Sequence, residues 1–225
     1  VVQIKSDIVR SPGIDLSNYG AELYHSQDVA VGLQSPYSPN WSHYFDGTVT
    51  RSYVYVQNSL NLTLGSGNWT VEFWTRFYDT ALDTLTRRII ATGSTNDIVT
   101  GWSIEVADQQ YTVSGYVVPR GGLIFRNNTQ ILGTVTAVND GRWHHVAWRK
   151  VGSTLYCYLD GVLQGSVVFA YNLNATGDII VGKGLVGGQQ AFEGYVSNVR
   201  ITAGTGLYTG SPTITVPTSR LTTTT

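Results

Sequence analysis

The chain is poor in cysteine, methionine and charge. Among 225 residues there is one cysteine, Cys157, and no methionine. A lone cysteine cannot close an internal disulfide, so the fold must rest on packing. The missing methionine leaves two origins open: an initiator removed before Val1, or excision from a longer protein. Charged residues make up 13 % of the chain, roughly half the usual share. Their signs balance, 14 basic against 15 acidic, for a net charge of -1. Nucleic acid is therefore not expected as a partner, because neutralising phosphate takes a basic surplus. No apolar run approaches the roughly 20 residues that a helix needs to cross a bilayer, so no membrane insertion is expected. The opening residues VVQIKSDIVR contain no apolar signal core. Sustained helical spacing of apolar residues is missing as well.

What the chain has instead is strand pattern and aromatic mass. Hydrophobic residues are 42 % and aromatics 12 %, with 14 Tyr and 6 Trp. That is too apolar for a disordered chain, and this length supports one large core. In WTVEFWTRF the positions Trp69, Val71, Phe73 and Phe77 make one apolar face. Short runs bounded by Gly, Asn, Asp or Pro follow: RRIIATG, GWSIEVA, QQYTVSGYVV, GGLIFRN, WHHVAWRKV, STLYCYLDG, VLQGSVVF, DIIVGKG and FEGYVSNVRIT. Period-two runs at this spacing predict an all-β fold, an antiparallel two-sheet sandwich or a barrel. Asp160-Gly161 between two such runs is a strong hairpin signal. Leu155, Cys157 and Leu159 share the face assigned to the core, which makes Cys157 a buried small hydrophobe. Tyr156 and Tyr158 share the other face. Residues 1–35 read as an irregular arm suited to assembly contacts, residues 36–221 as the folded domain, and residues 222–225 as a Thr-rich tail.

The order of the motifs is informative. SPYSPNWSHYFDG, then LNLTLGSGNWTVEFW, then DGRWHHVAWRKVGSTLYCYLDGVLQGS, then DIIVGKG and FEGYVSNVRIT resemble a laminin-G-like, pentraxin-like domain of the concanavalin A-like lectin/glucanase group. The ending ITAGTGLYTGSPTITVPTSRL is similar to the ends of such domains in bacteriophage structural proteins of tails and fibres. The resemblance implies a jelly roll of two curved antiparallel sheets, with ligands on a concave sheet face or on rim loops.

It also sets up tests of chemistry. Glycoside hydrolysis takes two carboxylates about 5–9.5 Å apart, and the related glucanases carry them as E-x-D-x-x-E. The four glutamates, Glu22, Glu72, Glu105 and Glu193, do not fit that pattern, and Glu105 and Asp108 fall on opposite faces of an extended strand. No G-x-S-x-G is present. His144 and His145 are adjacent, so they point to opposite faces and cannot share a metal; one is expected against Trp143 and Trp148 and the other in water. The resemblance implies a Ca²⁺ site on the rim. Asn96 and Asp97 match half of the ligand set in position. The matching second region, VGKGLVGGQQ, offers Lys183, Gln189 and Gln190 and no carboxylate. Weak or no Ca²⁺ binding is expected, and no other cofactor. For sugars, Trp41, Trp102, Tyr111, Tyr116, Arg120, Asn127 and Asn128 lie near loops and strand ends and are the candidate contacts. Trp69, Trp74, Trp143 and Trp148 are expected in the core.

These readings together predict a non-enzymatic bacteriophage virion protein, associated with a tail, fibre or capsid and displayed on the particle surface. Its expected partners are other virion proteins, copies of itself and a host surface glycan. A decoration or cement protein without sugar binding is the alternative, and a secreted polysaccharide hydrolase the third reading.

Overall fold

The computed structural model describes residues 23–25, 30–32, 35–37, 42–47, 52–56, 63–78, 87–92, 101–174, 177–184, 190–208 and 212–221. Among them there are strands and turns and no helix. In chain order the strands are β1 (Leu23–His25), β2 (Ala30–Gly32), β3 (Ser42–Asp46), β4 (Val54–Val56), β5 (Trp69–Arg76), β6 (Arg87–Thr92), β7 (Trp102–Val106), β8 (Tyr111–Val113), β9 (Tyr116–Val118), β10 (Leu123–Asn127), β11 (Thr129–Gly133), β12 (His144–Val151), β13 (Thr154–Leu159), β14 (Val162–Val168), β15 (Ile179–Val181), β16 (Gln190–Ala191) and β17 (Glu193–Ala203). They form an eight-stranded sheet in the order β1-β4-β15-β6-β7-β10-β11, with β16 beside β6. Opposite it lies a seven-stranded sheet, β14-β13-β12-β5-β17-β3-β2. Every pairing within both is antiparallel except β16 with β6. This is the sandwich that the period-two runs predict.

The core is aromatic, and one ring ties the sheets together. Phe125 on β10 stacks against Trp69 of β5 at 5.4 Å and against Trp102 of β7 at 5.9 Å. Phe169 meets it edge-on at 5.9 Å, and Trp148 lies 6.4 Å away. Trp69, Val71, Phe73 and Phe77 are all buried, as the alternation requires. So are Leu155, Cys157 and Leu159, and burial pushes the Cys157 thiol far up in pKa, away from reactivity. The Asp160-Gly161 turn has both residues at positive φ, 48° and 82°, the two-residue geometry that matches strand twist.

Two features differ from expectation. Residues 23–25 and 30–32, inside the expected irregular arm, form β1 and β2, which pair with β4 and β3 at sheet edges. Three-residue strands are too short to show alternation. The second difference is Tyr158. It lies on the face opposite Cys157 yet is fully buried, packed with Ala147 against Ile214 from the segment that follows β17. Burial here comes from a distant part of the chain, which local pattern cannot report.

At the β14 edge of the seven-stranded sheet, the Pro212–Ile214 segment pairs with Val162 and Leu163, and Tyr116 of the β8–β9 hairpin closes the stretch around Ser166. The Tyr116 hydroxyl donates to the Ser166 carbonyl and accepts from the Ser166 N–H, both at 3.1 Å. A β-strand edge left open invites pairing with other chains. A side chain at Gly165 would stand 2.8 Å from the Tyr116 ring. Gly165→Val should therefore expel the ring and lower stability by about 1–3 kcal/mol, the usual cost of overpacking. Urea denaturation checks the size, and light scattering should show concentration-dependent association in the variant.

Candidate functional site

The register of the seven-stranded sheet lays out its outer face in rows. Trp69, Val71 and Phe73 of β5 point inward, so Thr70, Glu72, Trp74 and Arg76 point outward. Arg76 is opposite Tyr195 of β17, and Tyr195 is opposite Tyr44 of β3. Trp74 lies between Ser197 and His145, Glu72 between Arg200 and Ala147, and Thr70 between Thr202 and Arg149.

Half of this face is covered by the chain itself. After β17 the backbone runs back over the sheet as a strap. The Leu207 N–H donates to Thr70 Oγ1 at 2.9 Å, and the Tyr208 hydroxyl donates to Glu72. Further on, Ile214 packs on Ala147 and Tyr158, and its N–H donates to the Gly161 carbonyl at 2.8 Å. The Leu221 N–H donates to Asn198 Oδ1 at 3.2 Å. Tyr208 holds a left-handed φ of 62°, unusual for an aromatic residue. Its hydroxyl, fixed between Glu72 and Arg200, shows what holds it there.

Glu72 is fully buried and bound on three sides. Arg200 donates Nε to Oε1 at 2.7 Å, His145 Nε2 is 3.0 Å from Oε2, and Tyr208 is the third donor. Burial alone would raise this carboxyl; hydrogen bonds from His145 and Tyr208 and the charge of Arg200 outweigh it and hold the group below the usual range. An ionised carboxylate only accepts, so His145 Nε2 carries the proton. Among the described residues His145 Nδ1 has no hydrogen-bond partner. Removing the guanidinium with Arg200→Met would leave a buried charge short of its main counter-ion. The expected loss is about 3–5 kcal/mol, read by urea denaturation at neutral pH.

The other half, as the described residues show it, is aromatic. Tyr37, Tyr44, Trp74, Trp143 and Tyr195 are all half-buried. The Tyr195 ring lies 4.9 Å from Tyr44 and 6.2 Å from Trp143, with the Arg76 guanidinium 5.9 Å above it. Arg76 Nε is held by the Gly141 carbonyl at 2.7 Å. Trp74 is 5.4 Å from His145 and 5.5 Å, edge-on, from Tyr37. The Trp74 indole N–H and the Tyr37 hydroxyl are sheltered from water and lie beside each other. Asp46 and Glu193, both exposed, stand directly opposite one another at the end of this surface.

The other glutamate of note, Glu105, is on the outer face of the eight-stranded sheet, on the far side of the sandwich from Glu72. Arg126 bonds it at 3.1 Å and Arg88 lies at 3.8 Å. Burial outweighs both cations and raises its pKa. Glu72 and Glu105 cannot act on one bond.

Most of the candidate contacts expected from sequence serve the fold. Trp102 is 4 % exposed and stacked on Phe125, so it has no ring face for a sugar. Tyr116 closes the β14 edge. Asn127 is buried and donates to the Gly101 carbonyl at 2.6 Å. Asn128 is exposed at φ 56° and turns β10 into β11. Arg120 is exposed beyond β9, and the Tyr111 hydroxyl donates to Asp108. Trp41, Asn96, Asp97 and Gln189 lie outside the described residues. Lys183 sits 3.6 Å over the Tyr53 ring. Trp74 and Trp143, expected in the core, are instead on the outer face. Alternation already separates Trp74 from Trp69, Val71 and Phe73, and that signal was sufficient to find it. Among the described residues no group of three or more His, Cys, Asp or Glu side chains could hold a metal ion.

The histidine pair corrects another expectation: neither His144 nor His145 faces water. His145 is fully buried. His144 is the less enclosed of the two. It is 7 % exposed, with Nδ1 2.7 Å from Asp160 and Nε2 2.9 Å from Asp140. Its two nitrogens face different carboxylates, so the three groups do not converge on one point. The Asp160 hydrogen bond, then that of Asp140, raises its pKa against burial. Burial opposes ionisation of Asp140 and Asp160, but hydrogen bonds, from Arg142 and His144 to the first and from His144 and the His145 N–H to the second, lower both. The histidine's contribution is complete below its unfolded value of 6.5 and is lost as pH rises through the raised folded value. The aspartates contribute above 3.8 and lose that contribution as pH falls through their lowered values. Urea midpoints should therefore fall above pH 6.5, and His144→Gln should flatten that limb.

Comparison with known proteins agrees with this architecture. Residues 41–205 match Laminin_G_3, a family of the Concanavalin A-like lectin/glucanases superfamily. No curated protein sequence matches the chain. Among solved structures, it is similar to domain 4 of AbnA, a GH43 extracellular arabinanase from Geobacillus stearothermophilus, in complex with arabinotriose. The identity is 14 %, the TM-score 0.60, and the match covers 88 % of this chain and 89 % of that one. The binding domain of Paraclostridial Mosquitocidal Protein 1 gives 13 % identity and TM-score 0.60, over 85 % of this chain and 47 % of that one. For the binding domain of botulinum neurotoxin serotype G the values are 16 %, 0.60, 86 % and 45 %. The chain thus spans about half the length of the toxin binding domains. At these identities the likeness is one of fold, a lectin-like one. With the family match spanning most of its length, this chain belongs to the Laminin_G_3 family of the concanavalin A-like lectin/glucanases superfamily.

Proposed function

We propose that the chain is a non-enzymatic adhesive module on the surface of a bacteriophage particle, in a tail, fibre or capsid-associated position, and that it binds a host surface glycan. One observation carries the binding reading: among the described residues, a contiguous row of half-buried aromatic side chains lies on a sheet face whose other half is covered by the segment after β17. Ring faces beside polar groups are the usual chemistry of sugar recognition. Neighbours of the same fold support it, since the arabinanase domain was solved with arabinotriose and the toxin domains are binding domains. The virion setting is supported by the flanking motifs SPYSPNW and GTGLYTGSPT. Other virion proteins and further copies of this chain are its partners there.

Gold-labelled antibody against the chain should decorate intact particles in electron micrographs, and the purified chain should bind host cells and lose that binding when surface polysaccharide is stripped. Decorated particles with no cell binding would favour a cement protein. One observation favours a second reading, hydrolysis: Asp46 and Glu193 face each other beside aromatic rings. Both are exposed, whereas a general acid is normally kept protonated by apolar enclosure. New reducing ends from polysaccharide, abolished in Glu193→Gln, would establish hydrolysis and end the adhesive reading.

A further inference from the structure

The open half of the seven-stranded sheet has a chemistry more specific than adhesion. Tyr44, Tyr195 and Trp143 come from β3, β17 and the residue before β12, so their rings form a line across the strands. The centroids are 4.9 and 6.2 Å apart and the rings are tilted by 46° and 59°, so they make a continuous faceted apolar surface. Arg76, the cation at the centre, is already engaged by the Gly141 carbonyl and the Tyr195 ring. At the end of the line stand Asp46 and Glu193, two steps along the same strands from Tyr44 and Tyr195 and on the same face. Like charges directly opposite one another destabilise a sheet pair, and they would repel an approaching carboxylate. One row along β5, Trp74 lies edge-on to Tyr37 at 5.5 Å, its indole N–H toward the Tyr37 hydroxyl.

We infer that Trp143, Tyr195 and Tyr44 form the saccharide site, that it takes a neutral oligosaccharide by stacking, and that Asp46 and Glu193 exclude acidic polymers. The inference rests on the glycan-binding reading above and adds its site and ligand class. The covered half of the sheet contributes rigidity: Glu72 and the strap fix β5 and β17, so the rings are ordered before the ligand arrives, which lowers the entropy cost of binding.

The test uses the full chain with maltohexaose, cellohexaose, arabinohexaose and polygalacturonate, followed by calorimetry and tryptophan fluorescence. At least one neutral hexaose should bind and polygalacturonate should not. Trp143→Ala and Tyr195→Ala should each weaken binding tenfold or more. Tyr195→Phe, which keeps the ring, should retain it and guards against a folding defect. The double change Asp46→Asn with Glu193→Gln should admit polygalacturonate. Hexaose binding that is unchanged in both alanine variants would overturn the site and leave the glycan reading standing. Polygalacturonate bound more tightly than every hexaose would overturn the ligand class alone. If no saccharide binds and sedimentation shows copies associating through Trp143, the inference and the glycan reading both fall.

Discussion

The carboxylate of Glu72 is the point on which the outer face depends. It is buried, ionised and satisfied from three elements: Arg200 on β17, His145 on β12 and Tyr208 on the strap. A charge taken out of water is tolerated only when its partners are fixed, so Glu72 aligns two neighbouring strands and anchors the returning chain. The same interaction divides the sheet. On one side the strap seals Thr70, Ala147 and Tyr158; on the other, Trp74 begins the open aromatic surface. Which part of the face is aromatic and which is closed off are set by one group.

The two outer faces handle burial differently. Glu72 is held ionised by short bonds from several elements, while Glu105 is pushed toward its neutral form because burial outweighs Arg126 and Arg88. They face away from each other across a core centred on Phe125. The arrangement fits a scaffold whose acidic groups position strands, and it keeps the carboxylates of Asp46 and Glu193 at a solvent edge.

The sandwich could be read from sequence because strand alternation is local. Val71 and Phe73, or Leu155 and Cys157, announce their face within a few residues. Asp160-Gly161 likewise states its turn in two. Three things were not local. Tyr158 is buried by Ile214, more than fifty positions away. Residues 23–25 and 30–32 gain strand geometry only from β4 and β3. Tyr116 and Asn127 have the composition of sugar contacts, but their polar atoms are used on the backbone at Ser166 and Gly101. The aromatic surface was partly legible. Alternation places Trp74 outside the core, but nothing in the sequence brings Tyr44, Tyr195 and Trp143 together without the pairing of β3, β17, β5 and β12.

Lys150 has a consequence of its own. Its side chain runs to the end of the sandwich, where Nζ donates to the carbonyls of Ser66, Gly67 and Gly152 at 2.7, 3.0 and 2.7 Å, and burial lowers its pKa. Three peptide oxygens around one positive centre are a coordination shell, filled here by an ammonium group tethered to β12. Being covalently attached, this cation cannot be leached away by dilution or chelating agents. That end of the sandwich stays shut in hard water and in soft.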